Sequence, residues 1–165
     1  MVYRCKTIQL GVILKYLEFL SSAKRHDYAC RVLQEKIESY EENTYDEKFK
    51  FLVISLYYLS GYIIECSLKF KILEVSGFNS NVEVNKNECK KIGIIYHEQI
   101  KTHDFTRLQD FLDSKIPDLS HESDNDEIEC LLTSWDPTIR YEDISIEYRK
   151  VKSFYNHAND FLKKM

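Results

Sequence analysis

The sequence predicts an all-α, single-domain, up-and-down bundle of about five helices, and three observations carry that reading. Breakers are scarce: 165 residues hold 4 glycines and 2 prolines, so the elements between them can be long. Apolar residues recur in steps of three and four, the helical period, along most of the chain. With 44% hydrophobic residues against 30% charged, there is enough apolar matter at this length to bury a core without disulfides or metals.

Leu10, Ile13, Leu14, Leu17 and Leu20, behind Thr7, predict a first helix over about residues 7 to 24. A second is expected from near Asp27, with Ala29, Val32, Leu33, Ile37 and Tyr40 on one side, ending in the charged "EENTYDEK". Asp46 opens the longest element, roughly 46 to 75, apolar nearly all round in its middle as a central bundle helix should be. Gly77 supplies its stop. Residues 78 to 88 are polar and aperiodic and read as a loop, followed by the short apolar patch "KKIGIIYHEQI". A helix from about Asp104 to Ser114 turns Phe105, Leu108, Phe111 and Leu112 inward and is closed by Pro117. Ser123 and Asp126 resemble a capping box before Ile128, Leu131 and Leu132. "WDPTIRY" reads as a turn with an aromatic at each end, and a last helix is expected over about 142 to 163.

The formal charge of -4 excludes a global basic field, so any nucleic-acid contact has to come from a local patch or a partner. The five cysteines, Cys5, Cys30, Cys66, Cys89 and Cys130, show no Cys-x-x-Cys and no zinc spacing. They imply a reducing cytoplasm, and no metal or cofactor is expected. Arg4 and Lys6 precede an apolar run as in a secretory signal, but Lys15 and Glu18 interrupt it. The uncharged run Phe51 to Ile64 is shorter than the roughly 20 residues a membrane span needs, and no membrane contact is expected. There is no phosphate-cradling Gly-rich loop, no Ser/His/Asp arrangement and no HExxH.

The stretch "YYLSGYIIECSLKFKIL", Tyr57 to Leu73, places a glycine, a glutamate and a lysine in the middle of this apolar helix. Tyr58, Gly61, Tyr62, Glu65 and Lys69 are related by steps of three and four and share one face. Glu65 and Lys69 can pair, and Gly61 leaves a hollow on the stripe. Glycine costs about 1 kcal/mol against alanine in a helix interior, and a buried ion pair is often no better than an apolar substitute. The stripe is therefore either a fixed packing feature or a functional face.

These residues, with "HDFTRLQDFL" and "WDPTIRY" before a C-terminal helix, resemble the HEPN domain family, the nucleotide-binding helical module of higher eukaryotes and prokaryotes. The similarity is to a bacterial branch with a Gly-Tyr-x-x-Glu-x-x-x-Lys helix and a Trp-x-x-x-x-Arg-Tyr turn. It covers about residues 46 to 163; residues 1 to 45 read as the first helices of the same bundle and carry no motif. The resemblance implies a bundle of four or five helices, a homodimer, and a place in toxin–antitoxin, antiviral or CRISPR-linked defence, often beside a nucleotidyltransferase or other operon partner. Many members are metal-independent ribonucleases with an Arg-x(4 to 6)-His motif. No arginine here has a histidine at that spacing; Arg149 and His157 are the nearest miss, eight residues apart.

The expected function is therefore binding: to a second copy, to a partner protein, and to RNA or a nucleotide through Tyr62, Glu65, Lys69, His103, Arg140 and Tyr141. Glu65 and Lys69 are expected to orient Arg140, whose guanidinium with Tyr141 suits stacking on a base. His103 is expected either beside Asp104 at a helix start, with Asp104 as the cap, or facing Glu65 and Arg140 in one pocket. Trp135 reads as a core or interface anchor. The alternatives are a ribonuclease with a divergent site, His103 with Arg140 or His157 with Arg149 as its catalytic candidates, and a purely structural subunit whose stripe only fixes helix register.

Overall fold

The computed structural model describes residues 14–40 and 46–165. Within them all regular secondary structure is helical, with no strand, as the sequence predicts. The order is α1 (Leu17–Glu38), α2 (Glu47–Val75), α3 (Lys86–Lys91), α4 (Tyr96–Gln99), α5 (Phe105–Asp113), α6 (Asp126–Ser134), a 3₁₀ turn (Pro137–Tyr141) and α7 (Tyr148–Leu162).

Helix α2 is the axis of the fold, and its ends are where the sequence placed them. Asp46 caps it by accepting from the Phe49 amide at 2.8 Å. Its other end closes as a Schellman turn: the amide of Phe78 reaches Leu73 O at 3.0 Å and that of Gly77 reaches Glu74 O at 3.0 Å. Gly77 sits at φ 70°, where a Cβ would be strained. Counted with its charges, α2 is long and apolar enough to cross a bilayer, although its uncharged run alone is too short. In the fold it is the core helix, packed by α1, α5 and α7, with Leu56, Ile63, Ile64, Leu68, Ile72 and Leu73 fully buried.

Helix α1 runs antiparallel to α2: Tyr16 stacks on Phe70 near one end, and Cys30 lies against Leu56 and Ser60 further along. Two helices meeting between residues 24 and 27 were expected, but one continuous helix is found. The expected boundary falls at Lys24, Arg25 and Asp27, yet Lys24 and Arg25 lie on the exposed face of the continuous helix. Asp27 points inward, accepting from Tyr155 Oη at 2.9 Å and Asn159 Nδ2 at 2.6 Å of α7. The part of the first expected helix before residue 14 lies outside the described residues.

Helix α7 is antiparallel to α1 and parallel to α2, with Phe49 beside Tyr148 and Tyr57 beside Phe154. The chain between α2 and α7 returns through the short helices α3 to α6. Three boundaries here differ from expectation. Residues 86 to 88 are helical, because Asn85 caps α3 by accepting from the amides of Asn87 and Glu88. No Ser123 capping box forms; Asn125 caps α6 instead, accepting from Glu127 and Ile128. Helix α7 begins at Tyr148 and not at 142, because Ile144 and Ile146 reach the core from an extended segment at the period of two.

Candidate functional site

The stripe on α2 does form one face, and Gly61 is its key. A Cβ at Gly61 would lie 2.0 Å from Trp135 Nε1, so the expected hollow is filled by the indole itself. That close approach lets Trp135 Nε1 donate to Tyr58 O at 3.2 Å. The indole is 6% exposed and stacks on Phe105 at 4.8 Å, which ties the turn after α6 to the start of α5. Trp135 is a core anchor, one of the two roles read from the sequence.

One turn along, Glu65 and Lys69 are 4% and 5% exposed. Lys69 Nζ donates to Glu65 Oε1 at 2.6 Å, and His103 Nδ1 meets Glu65 Oε2 at 2.7 Å. A carboxylate only accepts, so Nδ1 carries the proton and Nε2 is turned away from Glu65. The His103 side chain is 52% exposed, and no partner for Nε2 occurs among the described residues. Asp104 caps α5 by accepting from the Arg107 amide at 3.1 Å, so the capping role of Asp104 and the pairing of His103 with Glu65 hold together.

Tyr62 stands beside this line. Its ring meets His103 at 6.4 Å, Trp135 at 5.2 Å and Tyr58 at 5.0 Å, all edge to face, and His26 at 5.4 Å. Burial pushes the Tyr62 phenol up, the neighbouring Tyr58 adding to the shift. His26, on α1, escaped the sequence reading; only its later placement over α2 could have marked it. Burial lowers its pKa and Arg25 adds to the effect, while Glu65 opposes both.

Arg140 is not oriented by Glu65 and Lys69. Its Nη1 donates to Tyr58 Oη at 3.1 Å and its guanidinium lies 4.6 Å over the Tyr141 ring. The oxygens of Glu65 are engaged by Lys69 and His103, and its hydrogen bonds and ion pairs include none to Arg140. The hydrogen bond to Tyr58 is the main cause that raises the Arg140 pKa further. His103 and Arg140 thus line two separate hollows. That of His103 measures about 630 Å³ and includes Lys101, Thr133 and Asp136. Asp136 is held below the usual carboxylate range, chiefly by the hydroxyl and amide of Thr138.

The second catalytic pairing does not assemble. Arg149 makes a bidentate pair with Glu127 at 2.8 and 2.9 Å, whereas His157 Nε2 donates to His121 O at 2.6 Å. Among the described residues no cluster of His, Cys, Asp and Glu could hold a metal ion. Cys30, Cys66 and Cys89 are buried, with thiols pushed up to about 12, 12 and 11 by desolvation, and Cys130 is exposed. Comparison of the chain with protein-family models, with curated proteins and with solved structures gives no match in any of the three.

Proposed function

We propose that the chain is a HEPN-like helical domain of a bacterial defence or toxin–antitoxin type system that acts by binding. Its partners on this reading are a second copy, a partner protein such as a nucleotidyltransferase, and RNA or a nucleotide at the face around His103; its setting is the cytoplasm. The observation that supports a ligand there is the line Lys69–Glu65–His103. A buried carboxylate anchored by a buried ammonium fixes the imidazole and leaves Nε2 facing the hollow. There it accepts from a ribose hydroxyl or, when protonated, donates to a phosphate oxygen. Tyr62 stands beside His103, and the exposed Arg140 and Tyr141 offer a guanidinium and a ring at the separate hollow they line.

The test is titration of a labelled single-stranded RNA 12-mer and of ATP, with light scattering for the dimer. Binding weakened about tenfold by His103→Ala, with helix content retained, is the expected result. Wild-type affinity in both His103→Ala and Arg140→Ala, or no binding at all, removes the RNA and nucleotide part. One observation favours a second reading, a metal-independent ribonuclease: a carboxylate–imidazole dyad is also how a general base is held. The absence of the Arg-x(4 to 6)-His motif argues for binding without turnover, so no cleavage in EDTA is expected. Cleavage lost in His103→Ala would establish the enzyme instead.

A further inference from the structure

A different surface lies along the first three turns of α2, away from His103. It begins at a hollow of about 460 Å³ whose wall includes Phe51, Ile54, Tyr58 and Tyr141. Phe51 is 55% and Tyr141 76% exposed, although the large hydrophobic side chains of the fold are mostly buried. A second hollow of about 450 Å³ follows on the same helix, floored by Val53 and Ile146. Glu47 lines both hollows, and the Lys50–Asp143 ion pair bridges α2 to the segment 142–147 at their border, so the two adjoin along α2 as one groove crossed by that pair.

The charge of this groove is one-sided. Asp46, Glu47, Glu142, Asp143 and Glu147 line it, against Lys50 and Arg140. Lys50 is taken by Asp143, and Arg140 by Tyr58 and Tyr141. Glu47 and Glu142 have no cationic partner among the described residues; Glu142 accepts only from the Thr138 hydroxyl. Such a rim repels phosphates, so the groove beyond its Arg140–Tyr141 end, which it shares with the residues proposed above for RNA, is unsuited to nucleic acid. Its length along α2, from Glu47 to Tyr58, is about 18 Å, enough for three turns of a second helix.

We infer that this groove docks a basic amphipathic helix of a partner protein, whose apolar side chains enter beside Phe51 and whose lysines or arginines face Glu47 and Glu142. Apolar anchors at helical spacing in a hydrophobic groove supply the affinity, and opposite charges around them fix orientation and exclude acidic competitors. The inference rests on the partner-protein part of the reading above and needs neither RNA binding nor His103.

The experiment uses the whole chain and a designed 18-residue Lys/Leu/Trp helical peptide as probe, beside a peptide in which every Lys is Glu. The expected result is micromolar binding of the basic peptide only, weakened tenfold or more by Phe51→Ala and, at low salt, by Glu47→Gln/Glu142→Gln. Amide shifts in a 15N-labelled sample should be confined to residues 47–58 and 140–147, and His103→Ala should bind the peptide as the wild type does. The inference is overturned by equal binding of the acidic peptide, by binding indifferent to both variants, or by shifts elsewhere. A dimer that Phe51→Ala dissociates would make the groove a self-interface, and RNA binding lost in Phe51→Ala would make it a nucleic-acid site; either overturns the inference. Failure of RNA binding alone leaves it standing, and failure of peptide binding leaves the RNA reading standing.

Discussion

At the scale of single residues, the glycine and the charges in "SGYIIECSLK" have separate explanations. Gly61 is there because an indole occupies the space of its missing side chain, with Trp135 Nε1 2.0 Å from where a Cβ would be. The gain in helix propensity on adding a methyl, about 1 kcal/mol, is set against overpacking of a ring held on both sides. The ring cannot retreat without losing its hydrogen bond to Tyr58 O and its stacking on Phe105. Gly61→Ala is therefore expected to destabilise the fold by about 1 to 3 kcal/mol or more, read as a lower urea midpoint. Adding Trp135→Phe, which removes Nε1 among the three indole atoms within 2.4 Å of that Cβ and leaves a smaller ring, should recover part of that loss. An additive double mutant would show that the two positions do not share this contact. Glu65 has a different cause: both its oxygens are engaged inside the fold, and it connects the centre of α2 to a residue 38 positions later. The sequence announced the first bond through the i,i+4 spacing and offered the second only as one of two alternatives for His103, because nothing local ties Glu65 to His103.

At the scale of elements, what was legible followed from local chemistry, and what was missed followed from long-range contacts except at the local caps Asn85 and Asn125. Helix α2 could be bounded because Asp46 and Gly77 act on their own neighbours. Helix α5 could be bounded because Asp104 does the same. The false break in α1 arose at Asp27, whose Oδ1 accepts from Tyr155 and Asn159, more than 120 residues away, while its Oδ2 pairs with Arg31. The late start of α7 arose because Ile144 and Ile146 follow a strand-like period without belonging to a sheet. Of the candidate site, Glu65, Lys69 and Tyr62 were legible as one helix face. Arg140 proved to be held by Tyr58, and His26 had no signal at all. Helix α2 itself is the element in which the buried pair can be weighed. Glu65→Gln leaves the Lys69 ammonium at 5% exposure without a carboxylate. Breaking a buried pair from one side costs about 3 to 5 kcal/mol. Glu65→Leu with Lys69→Leu removes both charges together and should restore most of the stability while freeing His103 from its anchor. Thermal unfolding of the single and the double beside RNA titration separates the two roles. A double mutant as stable as the wild type and still binding RNA normally would reduce the pair to a packing feature.

At the scale of the whole molecule, the response to acid depends on groups that the fold keeps uncharged. His121 lies where α5, the 115–125 connection and α7 meet: its Nδ1 donates to Gln109 Oε1 at 2.7 Å, and its carbonyl accepts from His157 Nε2 at 2.6 Å. Gln109 is fixed in turn, its amide nitrogen donating to Asp113 Oδ1 and Leu119 O, so its oxygen faces the imidazole as an acceptor. Burial, with His157 adding to it, pushes the His121 pKa down to about 4. Because the folded value lies below the unfolded one, the unfolded chain takes up a proton first. The contribution of His121 is complete above about pH 6.5, is lost as pH falls toward 4, and changes no further below that. A shift of this size corresponds to something on the order of 3 kcal/mol over the window. His26 acts in the same direction, its pKa also being lowered by burial. Glu38 is held down at about 2 by hydrogen bonds from Lys152, Gln34 and Tyr148, so its contribution fades only at lower pH, below the ordinary carboxylate value. Urea unfolding at pH 7.5 and pH 4.5 should therefore show a marked drop in stability that His121→Asn flattens, since the amide can still donate to Gln109 but does not titrate. Should the Asn variant keep the wild-type slope, His121 is not the source of the acid response, and the junction between α5 and α7 does not set the pH range in which the bundle stays closed.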